Sequence, residues 1–123
     1  MGILDITPPE PSHMDTVFHL NEEARFQGAI NGALNLLADT SVSIDRVVVV
    51  VNGGAVRSFL KGGRGADLTT QGLSKGIILK ACKNSLMGLR IDRSRLIDGV
   101  LVVSSGVGEL TRLQSEGFAY IKV

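Results

Sequence analysis

The chain has 123 residues, which is enough for one packed domain. Apolar residues make up 44% of it and charged residues 20%, a balance typical of globular rather than disordered proteins. The lone cysteine excludes an internal disulfide, and no apolar run approaches the roughly 20 residues of a membrane-spanning helix. Because the N-terminus also lacks a signal-peptide pattern and a myristoylation pattern, we predict a cytoplasmic protein with no membrane partner.

The formal net charge is +1, but the charges are distributed unevenly along the chain. Residues 1–45 carry seven acidic residues against one basic residue, and residues 57–95 carry nine basic residues against two acidic ones. This polarity could serve a contact between subunits, an acidic partner or a nucleic acid, or it could reflect solvated loops only. Nucleic acid is the least favoured partner, because only four Phe and one Tyr could stack on bases and no recognition motif accompanies the charge.

The N-terminal segment, residues 1–14, contains all three prolines and is predicted to be a flexible arm ahead of a single domain at residues 15–123. Val17–Leu20 is predicted as a short strand. Asn21 is predicted to cap a helix over Glu22–Ala38. Apolar residues at helical spacing predict that this helix buries one stripe, made of Phe26, Ile30, Ala33 and Leu37.

The five consecutive valines of Val47–Val51 lack polar alternation and predict a central strand that is covered on both faces. We predict eight further segments in chain order. They are a short helix at Ala55–Leu60, a glycine-rich loop at Lys61–Gly65, a second short helix at Leu68–Ser74 and a strand at Gly76–Ala81. One or two helical turns at Asn84–Leu89, a strand at Gly99–Ser104, a helix at Val107–Glu116 and a last strand at Phe118–Lys122 follow. Alternating strands and helices with right-handed crossovers predict an α/β fold, a three-layer α/β/α sandwich with a mostly parallel sheet of about five strands.

Small and polar residues follow the predicted strands at their carboxyl ends, the edge at which ligands bind in sheets of this kind. These residues are His19 and Asn21, then Asn52, Gly53 and Gly54, then Cys82 and Asn84, then Ser104, Ser105 and Gly106. Cys82 lies where a predicted strand runs into a helix, and the partial positive charge of a helix N-terminus favours a thiolate there. Lys80 and Lys83 could favour the thiolate further or could point to water. A buried and inert cysteine is the competing interpretation, because free cysteines are often buried.

Neither glycine-rich segment predicts a nucleotide site. Gly106-Val-Gly108 is not a complete dinucleotide fingerprint, and Gly62–Gly65 lacks the Gly-Lys-Ser/Thr end of a phosphate-binding loop. We therefore predict no cofactor, and the chemistry open to a single thiol needs no metal.

Six segments in order resemble the DsrE/DsrF-like proteins of sulfur relay, namely Val17–Leu20, Asn35–Ala38, Val49–Gly54, Ala81–Leu86, Ser105–Leu110 and Leu113–Ile121. The resemblance covers nearly all of the chain from Asp15 to the C-terminus. It implies a small α/β domain that assembles into trimers or hexamers. Active members of that family carry sulfur as a persulfide on one cysteine, and Cys82 matches that cysteine.

The resemblance implies that Cys82 accepts sulfur from a donor protein and passes it to an acceptor protein. His19 could orient or protonate the thiol, and Asn84 or Ser85 could donate hydrogen bonds to the bound sulfur. A structural role for His19 and a local capping role for Asn84 are the alternatives. The remaining residues of the substrate-binding edge would be Asn52, Gly53, Gly54, Ser105 and Gly106. Two other functions stay open, a non-catalytic oligomeric assembly protein and a thiol-based redox sensor.

Overall fold

The computed structural model describes residues 13–123. The strands of this part of the chain are β1 (Met14–Leu20), β2 (Ile44–Val51), β3 (Ile78–Cys82), β4 (Leu101–Val103) and β5 (Ala119–Lys122). The α-helices are α1 (Phe26–Ala38), α2 (Ala66–Ser74), α3 (Lys83–Gly88) and α4 (Gly106–Ser115), and shorter 3-10 helices cover Glu23–Arg25, Gly53–Phe59 and Arg93–Arg95. All strand pairs are parallel, in the order β4-β3-β2-β1-β5, which confirms the predicted α/β fold and its five-stranded parallel sheet.

The valine run forms the buried centre of the sheet, as predicted. Alternate side chains of a strand point to opposite faces, so Val47, Val49 and Val51 pack into one core cluster while Val48 and Val50 pack into the other. The first cluster is covered by α1, α2 and the 3-10 helix at Gly53–Phe59. The second is covered by α4. Because these elements lie on both faces, the sheet is the middle layer of three.

The helix after β1 ends at Ala38, as predicted, but its start and its buried stripe differ from the prediction. It begins as a 3-10 turn preceded by Glu22, and no side chain caps that turn, because Asn21 lies one residue too early. The buried stripe of α1 consists of Phe26, Ala29, Ile30 and Ala33. Leu37, predicted to be buried with them, is exposed because it lies in the last turn of α1, beside an open cavity between the ends of α1 and α2.

The predicted N-terminal arm, residues 1–14, lies outside the described residues except for His13 and Met14. Met14 already belongs to β1, since its N–H donates to the carbonyl oxygen of Ser43 at 2.9 Å and its Cα is paired with that of Ile44. Between residues 13 and 123, no helix is both long enough and apolar enough to cross a membrane.

Candidate functional site at the carboxyl end of the third strand

The predicted convergence of strand ends brings Cys82 to the carboxyl edge of the sheet. Cys82 is the last residue of β3 and also the N-cap residue of α3. Ile78, Lys80 and Cys82 are every second residue of β3, so their side chains lie on the same face of the sheet. That face is the one that α4 covers. Only 5% of its surface is exposed. The thiol is therefore held between the starts of two helices, α3 and α4.

Backbone and side-chain donors surround the sulfur. The backbone N–H of Ser85 donates to Cys82 Sγ over 3.4 Å, a side-chain N-cap bond for α3. Burial raises the pKa of the Cys82 thiol. Hydrogen bonds from the Ser85 hydroxyl and N–H, together with those from the backbone N–H groups of Gly106 and Asn84, outweigh burial and hold the pKa below its ordinary value. The thiol therefore ionises more readily than an ordinary cysteine even though the site is nearly closed to solvent.

Ser85 is itself held in place by the loop after β2. The backbone N–H of Gly53 donates to Ser85 Oγ at 2.8 Å, which leaves the hydroxyl hydrogen of Ser85 free to point at Cys82. Gly53 has a φ of 55°, and a Cβ atom there would lie 3.1 Å from the carbonyl oxygen of Asn21. A glycine is therefore needed at this turn for its N–H to reach Ser85.

Gly106 lets α4 approach the sulfur closely. A Cβ atom at this position would lie 3.5 Å from Cys82 Cβ and 3.2 Å from Asn52 Cβ. The backbone N–H of Gly106 is one of the groups that stabilise the thiolate, and it sits at the start of a ten-residue helix. The close packing of three strand ends at this point thus places a helix N-terminus against Cys82.

His19 does not contact the thiol in the way that the sequence predicted. Its Nε2 donates to Asn52 Oδ1 at 3.1 Å, and its Nδ1 accepts from the Tyr120 hydroxyl at 2.6 Å. Burial is the largest effect on its pKa and lowers it; the bond to Asn52 raises it and the charge of Lys122 lowers it further, so the net pKa lies below the ordinary value. A neutral His19 that positions Asn52 beside Gly106 fits these contacts. Tyr120 was missed because sequence alone does not place β5 next to β1.

The other predicted residues divide into contacts with the thiol and local structural roles. Asn84 contributes its backbone N–H, while its side chain is exposed. Ser105 caps α4, since its Oγ accepts from the N–H of Gly108 at 2.9 Å. Gly54 and Lys83 make no hydrogen bond or ion pair with Cys82 among the described residues, and the side chain of Lys83 is exposed.

Lys80 neither points to water nor stabilises the thiolate, contrary to both options that the sequence left open. Its ammonium forms an ion pair with Glu109 of α4. Arg112 Nη2 donates to both carboxylate oxygens of Glu109, Oε1 at 2.7 Å and Oε2 at 2.6 Å. Lys80 is 13% exposed and Glu109 only 7%, so this ion pair is nearly buried on the face that also holds Cys82. No local sequence pattern predicts the pair of Lys80 with Glu109, because the two residues are 29 positions apart in the chain.

Replacing Gly106 with alanine tests the close approach of α4 to Cys82. We expect Gly106→Ala to lower the free energy of unfolding by about 1–3 kcal/mol, because the added methyl group meets Asn52 in a packed edge. We also expect the pH dependence of Cys82 alkylation to move to higher pH, because the helix N-terminus is pushed away from the sulfur. Gly88→Ala in α3 is the control, since a Cβ atom there meets no heavy atom within 4 Å. Unchanged stability and alkylation in Gly106→Ala would show that α4 does not depend on the glycine.

Comparison with solved structures finds similar proteins over most of the chain. A scan against protein-family models and a search of curated proteins give no match. The chain is similar to ychN of E. coli, with 19% identity over 89% of this chain and 99% of that one and a TM-score of 0.73. It is similar to BT1422 of Bacteroides thetaiotaomicron, with 16% identity over 89% and 94% and a TM-score of 0.65. These two show a shared fold.

A third solved structure shows more than the fold. MTH1491 of Methanobacterium thermoautotrophicum, described as a protein of unknown function, is 34% identical over 89% of this chain and 99% of that one, with a TM-score of 0.82. Identity at that level over nearly the whole length of the relative indicates common descent. The chain therefore belongs to the same protein family as MTH1491.

Proposed function

We propose that the protein is a DsrE/DsrF-like sulfur carrier that holds sulfane sulfur as a persulfide on Cys82 and passes it to the thiol of a partner. The observation that carries the proposal is the environment of the sulfur. A nearly buried thiol would ordinarily stay protonated, yet donors from Ser85, Gly106 and Asn84 lower its pKa. An inert packing cysteine has no need of that set of donors.

The chemistry consists of two thiol exchanges without net oxidation. The Cys82 thiolate attacks the outer sulfur of a donor persulfide, R–S–SH; the new S–S bond forms on Sγ while the donor S–S bond breaks and R–S⁻ leaves. The product, Cys82–S–SH, is then attacked at its outer sulfur by an acceptor thiolate, which takes the SH group and regenerates the Cys82 thiolate. Because the chain has no second cysteine, no internal disulfide competes with the second exchange.

The site also supplies what each exchange requires of the protein. The N–H groups and the Ser85 hydroxyl that stabilise the thiolate before attack stabilise it again when it leaves. His19 and Asn52 act as positioning residues through the start of α4, not on the sulfur. The face around the site exposes Met87 and Val107, which offer apolar surface to donor and acceptor proteins in a cytoplasmic setting.

Alkylation measured against pH tests the activated thiol. We expect Cys82 to react with iodoacetamide in the native protein, with half of the maximal rate reached below the ordinary pKa of a free thiol. Ser85→Ala should slow the reaction near pH 7 by roughly tenfold, because hydrogen bonds to charged groups contribute about 1.5–3 kcal/mol. Ser104→Ala, at an exposed serine of the same edge, is the control and should react like the wild type. Reaction only in denaturant would place Cys82 among inert core cysteines.

A thiol-based redox sensor is the second candidate, because the same lowered pKa would also favour oxidation of Cys82. The sulfur carrier and the redox sensor can be distinguished by the reagent with which Cys82 reacts. A carrier gains one sulfur atom from inorganic polysulfide and loses it to an added acceptor thiol, whereas a sensor reacts with hydrogen peroxide in preference and forms a mixed disulfide with another protein.

We also propose that the protein assembles as a homo-oligomer, a trimer or hexamer. Within residues 13–123, α4 is the helix that covers the Val48 face of the sheet, and it covers only the middle of that face. Leu101 on β4 and Tyr120 on β5 stay 51% and 41% exposed on either side of it. We expect light scattering at micromolar concentration to give the mass of an oligomer, and Leu101→Glu to weaken it, because a charge would enter an apolar contact. A monomeric wild type would contradict the assembly. An oligomer that forms without sulfur chemistry would instead favour the non-catalytic assembly protein.

A further inference from the structure

A cavity lies away from Cys82, on the face of the sheet that α1 and α2 cover. It has a volume of about 370 Å³ and opens between the 3-10 turn before α1 and the start of α2. Its lining includes Glu23, Gln27, Ser58, Arg64 and Gly65. The cavity is at the small end of the range for ligand pockets, so it has room for a small metabolite. The sulfur chemistry proposed above uses none of these residues.

Ser58 supplies a buried hydroxyl without a partner. The residue is 1% exposed, and its Oγ has no hydrogen-bond partner among the described residues, although it lines the cavity. Buried hydroxyls are nearly always hydrogen-bonded in folded proteins, and an exception calls for an explanation. The backbone carbonyl of Ser58, by contrast, accepts from Thr69 Oγ1 at 3.0 Å. The serine is thus fixed by its backbone, while its buried hydroxyl makes no hydrogen bond within the described residues.

The glycine-rich loop Gly62–Gly65 brings the start of α2 against Ser58. A Cβ atom on Gly65 would lie 2.3 Å from the carbonyl oxygen of Ser58, so only glycine permits this approach. Gly65 is the N-cap residue of the nine-residue helix α2, and no described side chain caps that end. The N–H of Ala66 already donates to the carbonyl oxygen of Gly63 at 3.2 Å, and the N–H groups that follow in the first turn are the ones that could attract an anion. Ser58 and Gly65 line the same cavity and lie against each other, so the orphan hydroxyl and this N-terminus are neighbours.

The charges around the cavity are of both signs. Arg64, exposed at the mouth of the cavity, has no ion-pair partner within residues 13–123, and it adds a guanidinium next to the start of α2. Glu23 brings a carboxylate, and Gln27 brings an amide. A simple anion would be repelled by Glu23, whereas a molecule with an anionic and a cationic end would satisfy both sides.

We propose that this cavity binds a free amino acid in its zwitterionic form. Its carboxylate accepts from the Ser58 hydroxyl, the Arg64 guanidinium and the N–H groups at the start of α2. Its ammonium group donates to Glu23 and to the amide oxygen of Gln27. The glycine-rich loop, which the sulfur site does not use, then has a function: it brings the carboxylate donors together.

Thermal unfolding of the full chain with each standard L-amino acid, and with acetate and methylamine separately, tests the site. We expect at least one amino acid to raise the melting temperature saturably, while neither fragment does so at the same concentration. Ser58→Ala and Arg64→Gln should each lower the affinity for that amino acid by roughly tenfold or more. Without ligand, Ser58→Ala should melt no lower than the wild type, because the hydroxyl has no partner to lose.

Arg57→Gln is the matched control, because Arg57 is an exposed arginine that does not line the cavity, and it should bind as tightly as the wild type. The proposal is overturned if no amino acid stabilises the protein, if acetate alone binds as tightly as the amino acid, or if Ser58→Ala and Arg64→Gln bind it unchanged. Thiol reactivity of Cys82 should be the same in all of these variants. The result therefore does not depend on whether the sulfur function is correct.

Discussion

Replacement of Cys82 by serine or alanine is expected to give a folded protein that accepts no sulfur from a persulfide donor such as a cysteine desulfurase. Serine keeps the shape of the side chain and can accept the N–H of Ser85 that now reaches the sulfur. Alanine leaves a small void. We therefore expect both variants to lose no more than about 1–2 kcal/mol of the free energy of unfolding, while sulfur loading falls to the background level.

The comparison between the two variants separates chemistry from packing. Sulfur loading that persists in either one would rule out the persulfide mechanism. A serine variant that melts well below the alanine variant, together with a wild-type thiol that reacts with nothing, would show that Cys82 is a core residue in an apolar site. The light-scattering mass of each variant should equal that of the wild type, because Cys82 is nearly buried and offers little surface to another subunit.

Glu109→Ala is expected to be the most destabilising of the single changes proposed for this protein. It leaves the Lys80 ammonium without its carboxylate on a face that also carries Val48 and Val50. Removal of one partner from a buried ion pair costs about 3–5 kcal/mol, and we expect about 2–4 kcal/mol here because Lys80 keeps some access to solvent. Urea unfolding measures the loss. A change below about 1 kcal/mol would mean that the pair is effectively solvated.

Two variants make that measurement specific. Glu116→Ala removes the exposed partner of Arg112 and should have a much smaller effect, because exposed ion pairs contribute little. Lys80→Met combined with Glu109→Leu removes both buried charges and should recover most of the stability lost in Glu109→Ala, since no unpaired charge is left.

Because of the same ion pair, we expect the free energy of unfolding to depend on pH in the acid range. Burial raises the pKa of the Glu109 carboxyl, but its hydrogen bonds with Arg112 and Lys80 and their positive charges lower it, and the net pKa is below the ordinary value of 4.5. The unfolded chain then binds a proton more readily than the folded one. The stabilisation is complete above about pH 4.5 and is lost as the pH falls through the lowered pKa of the folded state. Glu109→Ala should remove this part of the acid sensitivity.

Sequence reasoning predicted the parts of the molecule that depend on local patterns. The valine run gave the middle strand correctly because a strand buried on both faces cannot alternate with polar residues. Cys82 was correctly placed at a strand-to-helix junction, since the apolar stretch before it and the polar Lys83 and Asn84 after it mark the boundary. The lowered pKa of its thiol follows from that junction, although the N–H of Gly106 arrives from a distant part of the chain.

What the sequence did not predict depends on which strands are neighbours. Tyr120 binds His19 only because β5 pairs with β1, and Lys80 meets Glu109 only because α4 crosses back over β3. Both contacts change the roles expected of His19 and Lys80. Gly65 is a similar case, because its need for glycine comes from the backbone of Ser58 and from no turn pattern within the loop itself.

The most direct test of the persulfide at Cys82 is the intact mass of the protein. The protein is purified without reductant, exposed to inorganic polysulfide and measured again without reductant. We expect a species heavier by one sulfur atom, which disappears on reduction and never forms in Cys82→Ser. A single unmodified mass before and after polysulfide, in a protein whose other properties are native, would contradict a sulfur-carrying role for Cys82.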